Sequence, residues 1–281
     1  MKKSRILITG ATGFLGRNTY EAFLHHRHYD VLRMVRNTSK SDHDVIRADF
    51  FMTDVKKNKP DVIINCSGCF GRNKESIAEI ANANLFWGIK LLQLAIDAEI
   101  PYFINVNTAL PANINAYSLS KNQFSQWGKL YTDCGKINFI DLRLEHIYGP
   151  EAPESNFVAF LINSMRTQVP ELALTPGLQE RDFIYITDAA NAIEKIVATR
   201  QRFTGFNTIP VGSGEIISIK NLACMIKEAT RSNTKLLFGK IPYRNNEMMK
   251  SSADISILRE LGWSPQNNIK NGIGKILKGI K

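Results

Sequence analysis

Tyr117 and Lys121 stand four residues apart in "INAYSLSKNQFSQW" (114–127), a stretch with an ordinary helical pattern. On a helix, positions i and i+4 share one face, so a phenol and an ammonium would point to the same spot. A cation there lowers a phenol's pKa from about 10 and eases proton donation near neutral pH. The pair alone is common on helices. Upstream, however, the apolar run "YFINVN" (102–107) ends at Thr108, which sets a hydroxyl at a strand's carboxyl end just before that helix.

A second constellation opens the chain. "ITGATGFLG" follows the first apolar run at once and leads into a helical pattern. Gly10, Gly13 and Gly16 permit a tight turn, close approach to a pyrophosphate and close helix–strand packing. Thr12, Phe14 and Leu15 between them would line the same loop, and the next helix would face the phosphates. A glycine triplet by itself is equally a structural turn; strand, triplet and helix in that order point to dinucleotide binding. The second strand closes with "LRMVRN", which has no acid to hold the ribose hydroxyls of NAD. Arg33 and Arg36 lie there instead, and Arg36 is better placed for the 2′-phosphate of NADP(H). NAD(H) is the second choice, and two solvated arginines are the bland alternative.

The elements that must position these residues follow from hydrophobic periodicity. "RILIT" (5–9), "DVLRMV" (30–35), "DVIRA" (44–48), "DVIINC" (61–66), "YFINVN" and "INFIDLR" (137–143) read as strands. Amphipathic stretches at 14–27, 76–98 and 115–134 alternate with them. That alternation predicts an α/β fold: a Rossmann-type, doubly wound parallel sheet covered by helices on both faces. After "RLEHIYGP" prolines become frequent, with helical patterns at 155–168, 188–199, 219–230 and 254–261. We expect residues 1–150 to form the cofactor-binding domain with the Tyr/Lys helix. Residues 151–281 should form a smaller, mixed α/β substrate lobe, with some segments returning to the sheet, and the active site should lie between the two.

Composition bounds the rest. A chain of 281 residues that is 44% hydrophobic and 22% charged can bury a real core. No apolar run approaches the length of a membrane span, and the first strand is too short for a secretory core, so a cytoplasmic protein away from the membrane is expected. The net charge of +10 is scattered, without interleaved aromatics, which favours a polyanionic small ligand over nucleic acid. Cys66 and Cys69 form a C-x-x-C, but no second Cys/His pair follows at ligand spacing, so no metal is expected.

The G-x-x-G-x-x-G spacing resembles the short-chain dehydrogenase/reductase superfamily, and "GATGFLG" resembles its extended branch. Thr108, Tyr117 and Lys121 then match the superfamily's Ser/Thr–Tyr–Lys triad. The resemblance implies that Tyr117 protonates a carbonyl oxygen as hydride reaches the carbon, that Thr108 orients that oxygen, and that Lys121 also bonds the nicotinamide ribose. Asn84, before an apolar helix, matches a family asparagine of the proton relay, and Asp49 matches the adenine-edge contact after the third strand. The spacing from Thr108 to Tyr117 is shorter than usual, so Asn107 or Ser118 could supply the hydroxyl-side contact instead. The helices near 76–98 and 115–134 resemble the pair that forms a dimer bundle in the family, which implies a homodimer.

Extended members mostly act on nucleotide sugars. "RLEHIYGP" and "RDFIYITDAANAI" resemble family stretches in which arginines matching Arg181 and Arg244 clamp the substrate diphosphate, a role that suits a bidentate fork. Asn156 matches a further diphosphate contact, and surface arginines and a helix cap are the alternatives. Thr108 is followed by Ala109 and Leu110, not by the Asp-Glu pair of a 4,6-dehydratase, whose elimination needs an acid and a base. The basic end of the second strand speaks for exchangeable NADPH over the tightly held NAD of a 4-epimerase. Both Tyr and Lys are present, which counts against a non-catalytic cofactor sensor. These stretches, with "RNNEMMKSSADISILRELGWSP", look like reductases of nucleotide-linked 4-keto-6-deoxy or 3,6-dideoxy sugars that serve surface polysaccharide. His146 replaces the family's usual asparagine and could touch the sugar or simply be a loop histidine. Base identity, CDP or dTDP among others, is not legible in these residues.

Overall fold

The computed structural model describes residues 3–35, 44–47 and 51–279. They fall into two compact units, Met1–Arg143 with Ala190–Ile209, and Leu144–Ala189 with Pro210–Lys281.

The first unit begins with β1 (Ser4–Thr9), α1 (Phe14–Leu24), β2 (Tyr29–Val35), β3 (Val45–Arg47), α2 (Phe51–Asn58) and β4 (Val62–Asn65). It continues through α3 (Ile77–Ala81), α4 (Trp87–Asp97), β5 (Tyr102–Thr108), α5 (Ala116–Asp133) and β6 (Asn138–Leu144). Later come β7 (His146–Tyr148), α6 (Phe157–Arg166), β8 (Glu171–Leu174), β9 (Glu180–Tyr185), α7 (Ile186–Ala198) and β10 (Phe206–Val211). The chain closes with β11 (Ile216–Ser218), α8 (Ile219–Thr230), β12 (Lys235–Phe238), α9 (Ser256–Glu260) and α10 (Ile269–Gly279).

Seven strands pair in the order β10-β6-β5-β4-β1-β2-β3. Pairs β1–β2, β1–β4, β2–β3 and β4–β5 are parallel. Between β6 and β10 the bonds Phe139 N–H to Gly205 O and Glu145 N–H to Val211 O advance together, the mark of another parallel pair. The fold is therefore the doubly wound parallel sheet that the alternating pattern predicts. Strand order reverses between β1 and β4, and ligands of such sheets gather at the carboxyl ends of the strands beside that switch.

Near-continuous Ile, Leu and Val make these strands fit for burial on both faces. Leu7, Ile63, Phe103, Leu91 and Phe124 are all fully buried in one cluster. Phe103 and Phe139 stack at 5.3 Å, with Phe124 edge-on at 5.8 Å from each. Helix α5 must come close for this, and Gly128 permits it: a β-carbon there would sit 2.5 Å from the Phe139 ring.

Residues 76–98 form one helical run with a wide turn inside it. Ser76 caps α3 in a capping box with Glu79, Asn82–Phe86 form a π-helix, and α4 follows. Helices α2 and α10 were not legible in the pattern: α2 is short and largely polar, and α10 contains Gly272 and Gly274, which weaken a helical signal.

In the second unit β11, β9 and β7 form a three-stranded sheet, and β12 pairs with β8. Its core gathers Tyr148, Leu161, Met165, Phe183, Leu222 and Ile273. The fully buried Asp182 ties three segments together by accepting bonds from Ser213 N–H and Oγ, Gly214 N–H and Ala253 N–H. Among the described residues no helix is long and apolar enough to cross a membrane.

Candidate active site

The glycine loop lies between β1 and α1, at the switch point. Gly10 has φ +65°, and a β-carbon there would come within 2.8 Å of Ser67 N. A β-carbon on Gly16 would collide with the Gly10 carbonyl. Gly13 is the N-cap of α1 and offers no side chain to bond its first amides, and no acid sits in that turn. The loop is thus a backbone cradle facing a helix N-terminus, which fits a dinucleotide pyrophosphate.

At the end of β2, Arg33 is not a free cation. Its Nε and Nη2 bond the two oxygens of Asp44 at 2.8 and 3.2 Å, and the guanidinium lies over Tyr20 at 4.7 Å. Asp44 is held below the usual carboxylate range by the Arg33 and Tyr20 bonds, against a rise from burial. Arg36 and Asp49 lie outside the described residues.

Thr108 ends β5, and Asn115 opens α5 with a capping box to Ser118. Nine residues suffice to bring the Thr108 hydroxyl beside the Tyr117 phenol, close enough to oppose the rise in its pKa. Ser118 Oγ instead serves the cap, accepting from Asn115 N–H and donating to Ala112 and Asn115 carbonyls. Asn107 donates to both oxygens of Asp141 and accepts from Thr108 N–H. Of the three candidates, Thr108 is the one beside the phenol.

The expected tuning by Lys121 is not what this structure shows. Burial pushes Tyr117 up to about 12; the opposing pulls come from the Thr108 hydroxyl and the Arg72 charge. Lys121 does lie one turn on, but its Nζ donates to the Ser67 carbonyl at 3.3 Å. It is 2% exposed, and burial lowers it from 10.5 to about 8 despite support from Asp141 and Cys66. Spacing put both residues on one helix, but desolvation decided the protonation equilibria.

Asn84 sits in the π-helical turn, buried, with its amide fully used. It accepts from Cys69 N–H at 2.8 Å and donates to Cys69 O and Ser120 Oγ at 2.9 and 3.1 Å. Ser120 in turn donates to the Tyr117 carbonyl. Wide helical turns concentrate at functional sites, and this one pins the loop after β4 against α5. That loop also brings residues the motifs did not single out: Phe70 stacks on Tyr117 at 4.7 Å, and Arg72 lies over Phe70 at 5.2 Å. Cys66 and Cys69 are free thiols. Among the described residues the one grouping of possible metal ligands is His26, His28 and Glu194, which includes neither cysteine.

In the second unit, Arg181 is 7% exposed; it donates through Nη2 to Glu247 at 2.5 Å and through Nη1 to the Glu180 carbonyl. Glu247 N–H bonds the backbone carbonyl of the exposed Arg244, so a turn places Arg244 three residues before the carboxylate that holds Arg181. Asn156 caps α6 by accepting from Val158 and Ala159 N–H while it donates to the Ile147 carbonyl. His146 Nδ1 stands 3.6 Å from the buried Glu145, whose oxygens both accept from Ser251 Oγ.

Residues 6–212 match the sequence profile of the NAD dependent epimerase/dehydratase family. The chain belongs to that family. A CDP-abequose synthase from Salmonella typhimurium is 27% identical over 296 aligned residues, covering 99% of each chain. A second, from Salmonella muenchen, is 29% identical over 97% of each. Among solved structures, the UDP-glucuronic acid 4-epimerase of Bacillus cereus, bound to UDP-glucuronic acid and NAD, superposes with a TM-score of 0.86 at 22% identity, over 99% of this chain and all of that one. That likeness is one of fold.

Proposed function

We propose that the protein is an NADPH-dependent reductase of the 4-keto group of a nucleotide-linked 6-deoxy or 3,6-dideoxy sugar, CDP- or dTDP-linked. Its product would be a deoxysugar nucleotide for surface polysaccharide. The observation that carries this reading is the placing of the Thr108 hydroxyl, at the end of β5, beside a Tyr117 phenol that burial keeps protonated. Reduction of a ketone needs an acid at the start, which that phenol is. An epimerase that begins by oxidising an alcohol needs a base there.

A bound nicotinamide supplies hydride to the carbonyl carbon. Tyr117 gives its Oη proton to the ketone oxygen, and the Thr108 hydroxyl holds that oxygen in line. Lys121 would bond the cofactor ribose through its ammonium, and Asn84 keeps the Cys69 loop against α5. Gly10, Thr12, Gly13, Phe14, Leu15 and Gly16 would hold the pyrophosphate, and Arg36 the 2′-phosphate. The Arg33–Asp44 pair supports this assignment, because among the described residues the acid paired beside the end of β2 is already spent. Arg181, with Arg244, would take the sugar-nucleotide diphosphate, exchanging the Glu247 carboxylate for phosphate oxygens of the same geometry. Asn156 and His146 complete the substrate set. The two abequose synthases, which cover nearly all of the chain, support the substrate class. A homodimer through α4 and α5 is supported by Leu119, Trp127 and Leu130, all exposed on α5.

The test is NADPH oxidation at 340 nm by wild type and Tyr117→Phe with freshly generated CDP- and dTDP-4-keto-6-deoxyglucose and the CDP-linked 3,6-dideoxy ketone. Turnover lost in the variant is the expected result. Failure with all three ketones despite NADPH binding would sink the reading, and NAD that copurifies with the protein would point to a 4-epimerase.

A further inference from the structure

Across four adjacent strands, from the last residues of β1 and β4 to the middles of β5 and β6, runs a buried polar ladder. Ser67 Oγ donates to Thr9, Thr9 Oγ1 to Asn65 Oδ1, Asn65 Nδ2 to Asn105 Oδ1, and Asn105 Nδ2 to Asp141. Register aligns it: Thr9 pairs with Asn65 and Asn65 with Asn105. Every rung from Thr9 to Asp141 is at most 2% exposed.

The ladder ends on a carboxylate with no solvent exposure. Asp141 accepts from Asn105 Nδ2 at 2.9 Å, from Asn107 Nδ2 at 2.9 and 3.1 Å and from Ser125 Oγ at 2.8 Å, and it lies in an ion pair 3.0 Å from Arg143 Nε. All of these are donors, the surroundings that an ionised carboxylate satisfies. A buried charge is costly, and one that engages so many donors is there to hold something in place.

Two arms lead from it to the candidate active site. Asn107, gripped through Nδ2, turns its Oδ1 to accept from Thr108 N–H at 2.8 Å, which fixes the backbone of the residue whose hydroxyl lies beside the Tyr117 phenol. The other arm is electrostatic. The titratable groups facing Lys121 are Asp141 on β6 and Cys66 after β4. Burial holds the Cys66 thiol neutral, up at about 12, which leaves the donor-ringed Asp141 carboxylate as the acidic group that faces Lys121. Arg143, the cation on Asp141 itself, also reaches Asn122 on α5.

We propose that Asp141 is a positioning residue of this site: through Asn107 it sets Thr108 against Tyr117, and it supplies the negative charge that Lys121 faces. The catalytic half of this rests on the reductase reading; the Lys121 half does not.

Asp141→Asn removes the charge at constant size. With 13C-labelled lysine, the Lys121 ε-methylene titration, assigned by its loss in Lys121→Met, should fall in the folded variant by about one pH unit. With the ketone that wild type reduces, kcat should drop about tenfold or more while ketone KM holds, and the alkaline limb of the pH profile should move down with the Lys121 midpoint. Combining Asn107→Asp with Asp141→Asn exchanges acid and amide. The carboxylate introduced at position 107 can still accept from Thr108 N–H and from the amide introduced at position 141, so kcat should recover relative to Asp141→Asn. If Asp141→Asn does not fold, Asn107→Ser cuts the first arm alone and should lower kcat at unchanged KM. An unmoved Lys121 midpoint in folded Asp141→Asn, or wild-type kcat in Asn107→Ser, overturns the proposal. A shifted midpoint in an enzyme that reduces none of the ketones leaves the charge arm standing and removes the reductase reading instead.

Discussion

Two cations, one in each unit, are buried in opposite ways. Lys121 is almost sealed from solvent and has one carbonyl at 3.3 Å as its direct partner, so desolvation pulls it down to about 8. Arg181 is nearly as buried and lowered by the same cause, but Glu247 grips it at 2.5 Å and Glu145 adds to that support. A guanidinium keeps its charge under any physiological condition and presents a flat fork, whereas a buried ammonium can be tuned to lose its proton. The lysine therefore suits a place where protons move, and the arginine a place where a permanent anion is exchanged for another.

The largest effect that would break this contrast lies next to Lys121. Tyr117→Phe should cut kcat by about 10²–10⁴-fold with little change in NADPH affinity, as measured by steady-state rates and fluorescence titration. If proton transfer there is unimportant, the rate will survive.

Stability should move in opposite directions at the two cations. Lys121 titrates near 8 folded and near 10.5 unfolded. Between those values the unfolded chain keeps a proton that the folded chain has released, so stability rises with pH across that window. Below it the full cost of the buried charge is present. Lys121→Met should therefore stabilise the protein at pH 7 by on the order of 3 kcal/mol in urea melts, a gain that shrinks from pH 8 to 10.5. Arg181→Met should destabilise by about 3 kcal/mol, because it strands Glu247. Equal signs would erase the distinction.

A smaller effect is the wild-type rate itself, which should decline as pH rises through about 8, when Lys121 loses its charge. Lys121→Arg should abolish that limb if it retains activity. The smallest expected change in stability is at a substrate-set residue that also caps a helix: Asn156→Ala should cost about 1 kcal/mol through that cap.

Much of this is legible in the sequence. Thr108, Tyr117 and Lys121 lie within one strand–helix unit, so local spacing brings them together, and the glycine loop is contiguous. The ladder is not legible there. Thr9, Asn65, Asn105 and Asp141 are isolated polar residues in four apolar runs, and only strand register shows that they touch. Arg181 and Glu247 are 66 residues apart, and no periodicity links them. The Lys121 expectation failed for a different reason. Helical spacing predicts which groups are neighbours, but burial, which depends on the whole unit, sets their pKa values.

The π-helical turn at Asn82–Phe86 has a consequence for how this helix tolerates change. Trp87 N–H bonds the carbonyl of Asn82, five residues back, so the run carries one residue more than α-geometry needs. That extra residue acts like a frameshift written into a single helix: everything after it is rotated by about 100° from where an unbroken helix would put it. Substitutions within 82–86 leave that phase alone. Deleting one of the five would close the turn into regular α-geometry and leave Leu91, Leu92 and Ala95 on the core, whereas deleting a residue of α4 before Leu91 would turn them away from it.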